Sequence, residues 1–70
     1  MNVPELRAAI ARSGETNRSI AKHLDISEQA LNKKIKGETE FKSSEIKTVA
    51  QVLSLSLSDV NLIFFDEEVN

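Results

Sequence analysis

The stretch from Thr16 to Gly37, TNRSIAKHLDISEQALNKKIKG, constrains this chain more than any other. It reads as two short helices joined by a tight turn. Thr16 can cap the first helix, its side chain satisfying one of the backbone N–H groups that a helix start leaves without a partner. Ile20, Ala21 and Leu24 then fall on one side and make a buried stripe. Asp25 stands at the corner, and Asp is one of the few residues other than glycine that tolerates a left-handed backbone. Ser27 caps the second helix, Leu31 and Ile35 form its inner side, and Gly37 lies just past its end, a position that favours glycine. Helices that cross steeply need a small residue where they touch. Ala21 meets that need, and a larger side chain there would push the pair apart. The outer side of the second helix is left with Glu28, Gln29, Asn32, Lys33 and Lys36.

The remaining residues supply helices on either side. Residues 1–14 read as a first helix, with Pro4 in the first turn, where a missing N–H is tolerated. Leu6, Ala9 and Ile10 make its apolar stripe and Gly14 stops it. Residues 38–42 form a loop whose Phe41 folds back as a core anchor. Residues 43–53 make a fourth helix, with Ser43 as cap, Glu45 at the positive helix start and Ile46, Val49, Ala50 and Leu53 inward. Residues 54–58, SLSLS, alternate like a strand. Ser56 and Asp59 nevertheless resemble a capping box that opens a short fifth helix through about Phe64. In that reading Leu55 and Leu57 pack around the connection, while Val60 and Ile63 face the core. Phe64 and Phe65 are costly to leave exposed together, so both are expected to be buried, in this chain or against a second copy. Residues 65–70 then form an acidic tail. The expectation is one all-α domain over residues 1–70, a compact bundle of about five short helices.

Composition narrows the function. With no cysteine, disulfides and thiolate metal sites are excluded, which suits a reducing compartment, and no apolar run approaches the roughly 18 residues of a membrane span. The expected location is therefore the cytoplasm. His23, the only histidine, lies on a polar helix face with no carboxylate at ligand spacing, so it reads as a surface residue and no metal is expected. There is no nucleophile with a base beside it, no glycine-rich phosphate loop and no pair of carboxylates in an apolar setting, so an enzyme is not expected, nor a cofactor. The net charge of −2 argues against a general polyanion binder. Its distribution says more. All 9 Lys and Arg lie between Arg7 and Lys47, so residues 1–48 carry a net +2 and residues 49–70 a net −4. Lys33, Lys34 and Lys36 cluster at the end of the second helix of the central pair. A basic face with an acidic rear suits duplex DNA, and the side chains on that helix are of kinds that read base edges or hold phosphates.

With these residues in place, the chain resembles the Cro and repressor family of phage regulators over about residues 4–64. The likeness is strongest from Thr16 through Gly37, in the Ile20-Ala21 pair, Leu24, Ile26-Ser27, Leu31 and Gly37. The run from Gln29 to Ile35 looks like the recognition helix of phage Cro proteins, and Ile63-Phe64-Phe65 looks like the tail of small prophage regulators. The resemblance implies a lambda repressor-like DNA-binding fold around a helix-turn-helix. It implies base contacts from Glu28, Gln29, Asn32 and Lys33, and phosphate contacts from Thr16, Asn17, Ser27 and Lys36, with Lys42 and Ser43 beside them. Three departures stand out. Asp25 replaces the usual turn glycine, which implies some backbone strain. Ser19 replaces the Glu or Gln of a capping box with Thr16, which leaves that helix start less firmly closed. Lys34 replaces an often apolar residue, with burial shifted to Ile35.

The expected function is that of a Cro-like transcriptional repressor, a homodimer that places two recognition helices in successive major grooves of a near-palindromic operator and occludes a promoter. Gln29 or Asn32 would meet adenine, Lys33 guanine and Glu28 a cytosine amino group. Glu28 has a second reading, as a residue that merely favours the helix start. Phe64 and Phe65 would supply part of the dimer interface. The alternative is a protein-binding use of the same fold, as an antitoxin or anti-repressor, for which the acidic end would suit a basic partner.

Overall fold

A computed structural model describes residues 1–66; residues 67–70, which hold Glu67 and Glu68 of the expected acidic tail, lie outside it. Five helices follow one another: α1 (Val3–Ser13), α2 (Asn17–Leu24), α3 (Glu28–Ile35), α4 (Ser43–Val52) and α5 (Leu57–Phe64). No strand occurs among the described residues, and SLSLS is the connection from α4 into α5. The all-α expectation holds.

The ends of the helices are closed by side chains close at hand. Asn2 Oδ1 accepts from the Glu5 N–H at 3.2 Å and opens α1, ahead of Pro4, and Gly14 ends it at φ 77°. At α5, Ser56 Oγ accepts from the Asp59 N–H and Asp59 Oδ2 from the Ser56 N–H, each at 3.1 Å, a full capping box. The start of α2 is also closed in both directions. Thr16 Oγ1 accepts from the Ser19 N–H at 3.0 Å, and Ser19 Oγ accepts from the Thr16 N–H at 3.1 Å. Ser19 therefore completes the box that the missing Glu or Gln was expected to leave open.

Ser43 is not the cap of α4. The cap position is Lys42, in extended backbone, and Ser43 is the first helical residue. The reason is Glu45, whose Oε1 accepts from the Lys42 N–H at 2.8 Å. A box opening at Ser43 would need its return bond from Ile46, which has no polar atom to give. Lysine cannot accept the reciprocal bond, so this box has one half only.

The core joins all five helices: Leu6 and Ala9 from α1, Ile20 and Ala21 from α2, Leu31 and Ile35 from α3, Val49 from α4, Leu53 just past its end, and Ile63 and Phe64 from α5. Helix α2 packs on α3 and α4, while α1 packs on α3 and α5. The Asn2 N–H donates to the Ile63 carbonyl at 2.7 Å and ties the two ends of the bundle.

Two expectations about α5 change. Leu57 does not pack around the connection. It is 77% exposed, since the inward positions go to Val60, Ile63 and Phe64 and leave the first helical residue at the margin. Phe64 and Phe65 also part company, because neighbours on a helix point about 100° apart. Phe64 is buried, edge-on to Phe41 with ring centroids 5.4 Å apart, whereas Phe65 is 55% exposed. Phe64 is thus spent on this chain's own core and only Phe65 remains on the surface.

Candidate nucleic-acid interface

The turn between α2 and α3 sets the geometry. Asp25 sits at φ 57° and ψ 44°, the left-handed region, and Asp25, Ile26 and Ser27 are all that separate α2 from α3. The Ile26 N–H returns to the Ala21 carbonyl at 3.1 Å, so the turn is closed on the helix it leaves. Ala21, 2% exposed, lies in the core beside that turn. Ser27 Oγ accepts from the Ala30 N–H at 3.0 Å and opens α3 as expected.

Leu31 and Ile35 hold the inner side of α3 in the core, and this fixes its rotation. Glu28, Gln29, Asn32, Lys33 and Lys36 are then all exposed together. A helix of this length spans about 12 Å, and its polar side carries amide, ammonium and carboxylate groups in a row. Ser27, Gln29 and Lys33 line one shallow groove with Ala30, Lys34 and Thr39. Thr16, Asn17, Lys42 and Ser43 are exposed as well, Thr16 and Asn17 at the start of α2, Lys42 and Ser43 at the start of α4. The hydroxyls of Thr16 and Ser27 already accept backbone bonds, which leaves each an O–H to donate. Among the described residues the Glu28 carboxylate has no hydrogen bond or ion pair, and it stands in the first turn of α3, where the helix dipole favours it.

Two relations were not legible in the residues alone. Asn17 Nδ2 donates to Asn32 Oδ1 at 3.1 Å, joining an expected phosphate contact to an expected base contact. The pair is 15 residues apart, so only the crossing of α2 and α3 reveals it. Arg7 of α1 lines a notch with Ile10, Ala11, Asn17 and Ile35, which adds a guanidinium beside the start of α2. The signal available in sequence was its spacing of one turn from Ile10, which puts it at the margin of the buried stripe.

Lys34 leaves the cluster of lysines it was expected to join. Its ammonium donates to the Glu40 carbonyl at 3.0 Å, lies 3.1 Å from Glu45 Oε1, and sits 5.9 Å from the centroid of the Phe41 ring. The side chains of Lys34 and Glu45 are only 12% and 11% exposed. One ammonium therefore joins α3, the loop after it and the start of α4. The loop between Lys36 and Lys42 is thereby tied to α3 at the Glu40 carbonyl, and the lysines of α3 and its end left exposed are Lys33 and Lys36.

This pair also gives a pH dependence. Burial pushes the Glu45 carboxyl up, but the Lys42 N–H and the Lys34 ammonium outweigh it and hold the group below its ordinary 4.5. The folded chain therefore prefers the carboxylate more than the unfolded chain does. Its contribution is complete above pH 4.5 and is lost as pH falls through the lowered folded value. The Asp59 carboxyl is lowered too, by the Ser56 N–H and hydroxyl. The thermal midpoint should fall on acidification below pH 4.5, and Glu45→Gln should flatten part of that decline. Parallel acid profiles for the two proteins would contradict the assignment.

The family model described as protein of unknown function DUF739 matches residues 4–67, a span that includes all five helices except the first residue of α1. The chain belongs to the DUF739 family. No curated protein and no solved structure matches it. In this DUF739 chain no helix of the described residues is long and apolar enough to cross a membrane.

Proposed function

We propose that this DUF739 chain is a sequence-specific double-stranded DNA-binding regulator of the Cro and repressor type, with α3 as its reading helix. The observation that carries the reading is the division of α3 into two sides. Leu31 and Ile35 are 1% and 3% exposed, while Gln29, Asn32 and Lys33 are in solvent. A helix anchored in this way presents donors and acceptors on a rigid rod that fits a major groove about 12 Å wide. Thr16, Asn17, Ser27 and Lys36 flank it as phosphate contacts, with Arg7 beside Asn17, and Lys42 and Ser43 at the start of α4. Two copies on a near-palindromic site would block a promoter, and exposed Phe65 is the aromatic side chain free to join them.

Selection of duplexes from a random pool tests this directly. A near-palindrome with half-sites about one helical turn apart is the expected product for a dimer. A single enriched half-site would support the reading helix but reject the dimer. On the selected site, Asn32→Ala and Lys33→Ala should each cost roughly 1–3 kcal/mol and relax one base position, while Lys36→Ala should weaken all sequences alike and reduce the salt slope by about 1. Mutants that bind like the parent would reject the base-reading assignment.

A protein partner is the second reading, favoured by Leu57 and Phe65 standing exposed in the acidic segment 49–70. A pool with no enriched sequence would support it over the first.

A further inference from the structure

All three phenylalanines of this chain meet at one groove. Phe41, Phe64 and Phe65 line it with Met1, Glu40 and Ile46, and it holds about 430 Å³ between the loop after α3, the start of α4 and the end of α5. Phe64 is buried edge-on to Phe41, but Phe65 and Met1 are 55% and 37% exposed. With Leu57 they are the large apolar side chains left exposed among the described residues, so the groove gathers apolar surface that the fold does not cover. The segments around it are acidic. Residues 37–41 hold Glu38 and Glu40, and residues 49–66 hold Asp59 and Asp66, with no Lys or Arg in either. The nearby ammonium groups are already matched, Met1 with Asp66 at 2.9 Å and Lys34 with Glu45 at 3.1 Å. The Glu40 carboxylate has no hydrogen bond or ion pair among the described residues, since Lys34 takes only its carbonyl.

We propose that this groove is a docking site for a basic segment of a partner protein, one that seats an apolar or aromatic side chain against Phe41, Phe64 and Phe65 and sets Lys or Arg beside Glu40. The proposal rests on the protein-partner reading, gives it a site, and is independent of DNA binding, because none of Gln29, Asn32 and Lys33 lines the groove. Charge decides the occupant. Glu38 and Glu40 repel phosphates, and a second copy offering its own Phe65 would bring Asp66 with it, a like charge against Glu40. A partner's ammonium or guanidinium instead meets an unpaired carboxylate and, over the exposed ring of Phe65, the negative face of an aromatic. The volume is near the low end for pockets that take whole ligands, roughly 300–1,000 Å³, which suits an anchoring side chain. A partner seated here covers Phe65, so it excludes a second copy joined through that ring.

The test displays a random pool of short peptides to the full chain, then measures the enriched peptides by fluorescence anisotropy on the parent and on Phe65→Ser, Glu40→Lys, Leu57→Ser and Lys33→Ala. All of these change exposed side chains, and circular dichroism checks that each variant is folded. The expected peptides carry an aromatic or large aliphatic residue with Lys or Arg beside it. Phe65→Ser should weaken their binding by roughly fivefold or more, the loss of an interface anchor. Glu40→Lys should weaken it several-fold at low salt, and the difference should shrink as salt is added. Leu57→Ser and Lys33→Ala should bind like the parent. Peptides that lose affinity in Leu57→Ser but not in Phe65→Ser would put the partner elsewhere, which overturns this site and leaves the protein-partner reading standing. Enriched peptides without basic residues, or a dimer in sedimentation equilibrium that both Phe65→Ser and Glu40→Lys dissolve, overturn it too. A pool with no enriched peptide removes the site and the protein-partner reading together, and none of these results touches the DNA reading.

Discussion

Leu31→Ala should lower the stability of this chain by about 2–5 kcal/mol, the range for deleting a buried leucine whose neighbours cannot close the gap. Leu31 is 1% exposed and stands in the middle of α3, between Asn32 on one side and Ala30 on the other. It is the main apolar tie between α3 and the rest of the core, with Ile35 one turn on. The total stability expected of a domain this size is only about 4–10 kcal/mol, so the loss is a large share of the whole. The chain has no Trp or Tyr, and urea unfolding followed by far-ultraviolet circular dichroism is the suitable measurement. The midpoint should move well below that of the parent with little change in slope, whereas Lys33→Ala, on the exposed side of the same helix, should stay within about 0.5 kcal/mol. A Leu31→Ala midpoint as high as that of Lys33→Ala would mean that α3 is rotated away from the position described. DNA binding would then have to be assigned to other residues, because the reading side is defined by what the opposite side buries.

Lys34→Met should cost about 1–3 kcal/mol, even though lysines on helix surfaces usually change stability little. Methionine keeps an apolar stem of similar length and removes the ammonium, which sits 5.9 Å from the centroid of the Phe41 ring. Glu45 is then left as a largely covered carboxylate, with the Lys42 N–H as its remaining partner. Removing one member of a covered ion pair costs more than the pair is worth, because the other charge stays behind without compensation. Glu45→Gln on its own should also destabilise. The double variant Lys34→Met/Glu45→Gln should be more stable than the two single losses added together, since it leaves no unmatched charge. Strict additivity would mean that the two groups do not interact in solution. The loss has a further consequence for the candidate interface. The Lys34 ammonium holds the Glu40 carbonyl, and with it the loop that carries Lys36 at one end and Lys42 at the other.

Most of the helices were legible because their signals are local. Thr16, Ser27 and Ser56 cap the helices that they were expected to cap, Gly14 and Asp25 adopt the left-handed backbone assigned to stops and corners, and the apolar spacing of Leu6 and Ala9, Ile20 and Ala21, and Leu31 and Ile35 marks the buried sides. A cap and its partner lie three residues apart, and a stripe repeats every turn, so neither depends on a distant element. Ser43 shows the limit of that kind of signal. Two residues in a row could open α4, and the choice of Lys42 came from the reach of Glu45, which Lys34 on another helix helps to hold. Ser19 shows the opposite error, in which a family pattern hid what a short hydroxyl can do by itself.

The outer residues of α3 were also legible, since they are what remains once the buried stripe is assigned. Their grouping was not. Lys33, Lys34 and Lys36 are alike in sequence, yet Lys34 turns under Phe41 because a carboxylate and a carbonyl from later in the chain converge there. Phe64 and Phe65 are alike too, and the rotation of α5 against Phe41 decides which of them is buried. What the sequence determined by itself is the set of helices and the inward side of each, because capping and helical periodicity act within a few residues. What only the tertiary structure decided is the pairing of side chains between helices: Asn17 with Asn32, Lys34 with Glu45, Phe41 with Phe64. Such pairs depend on how α2, α3, α4 and α5 cross, and a crossing is set by packing of the whole core at once.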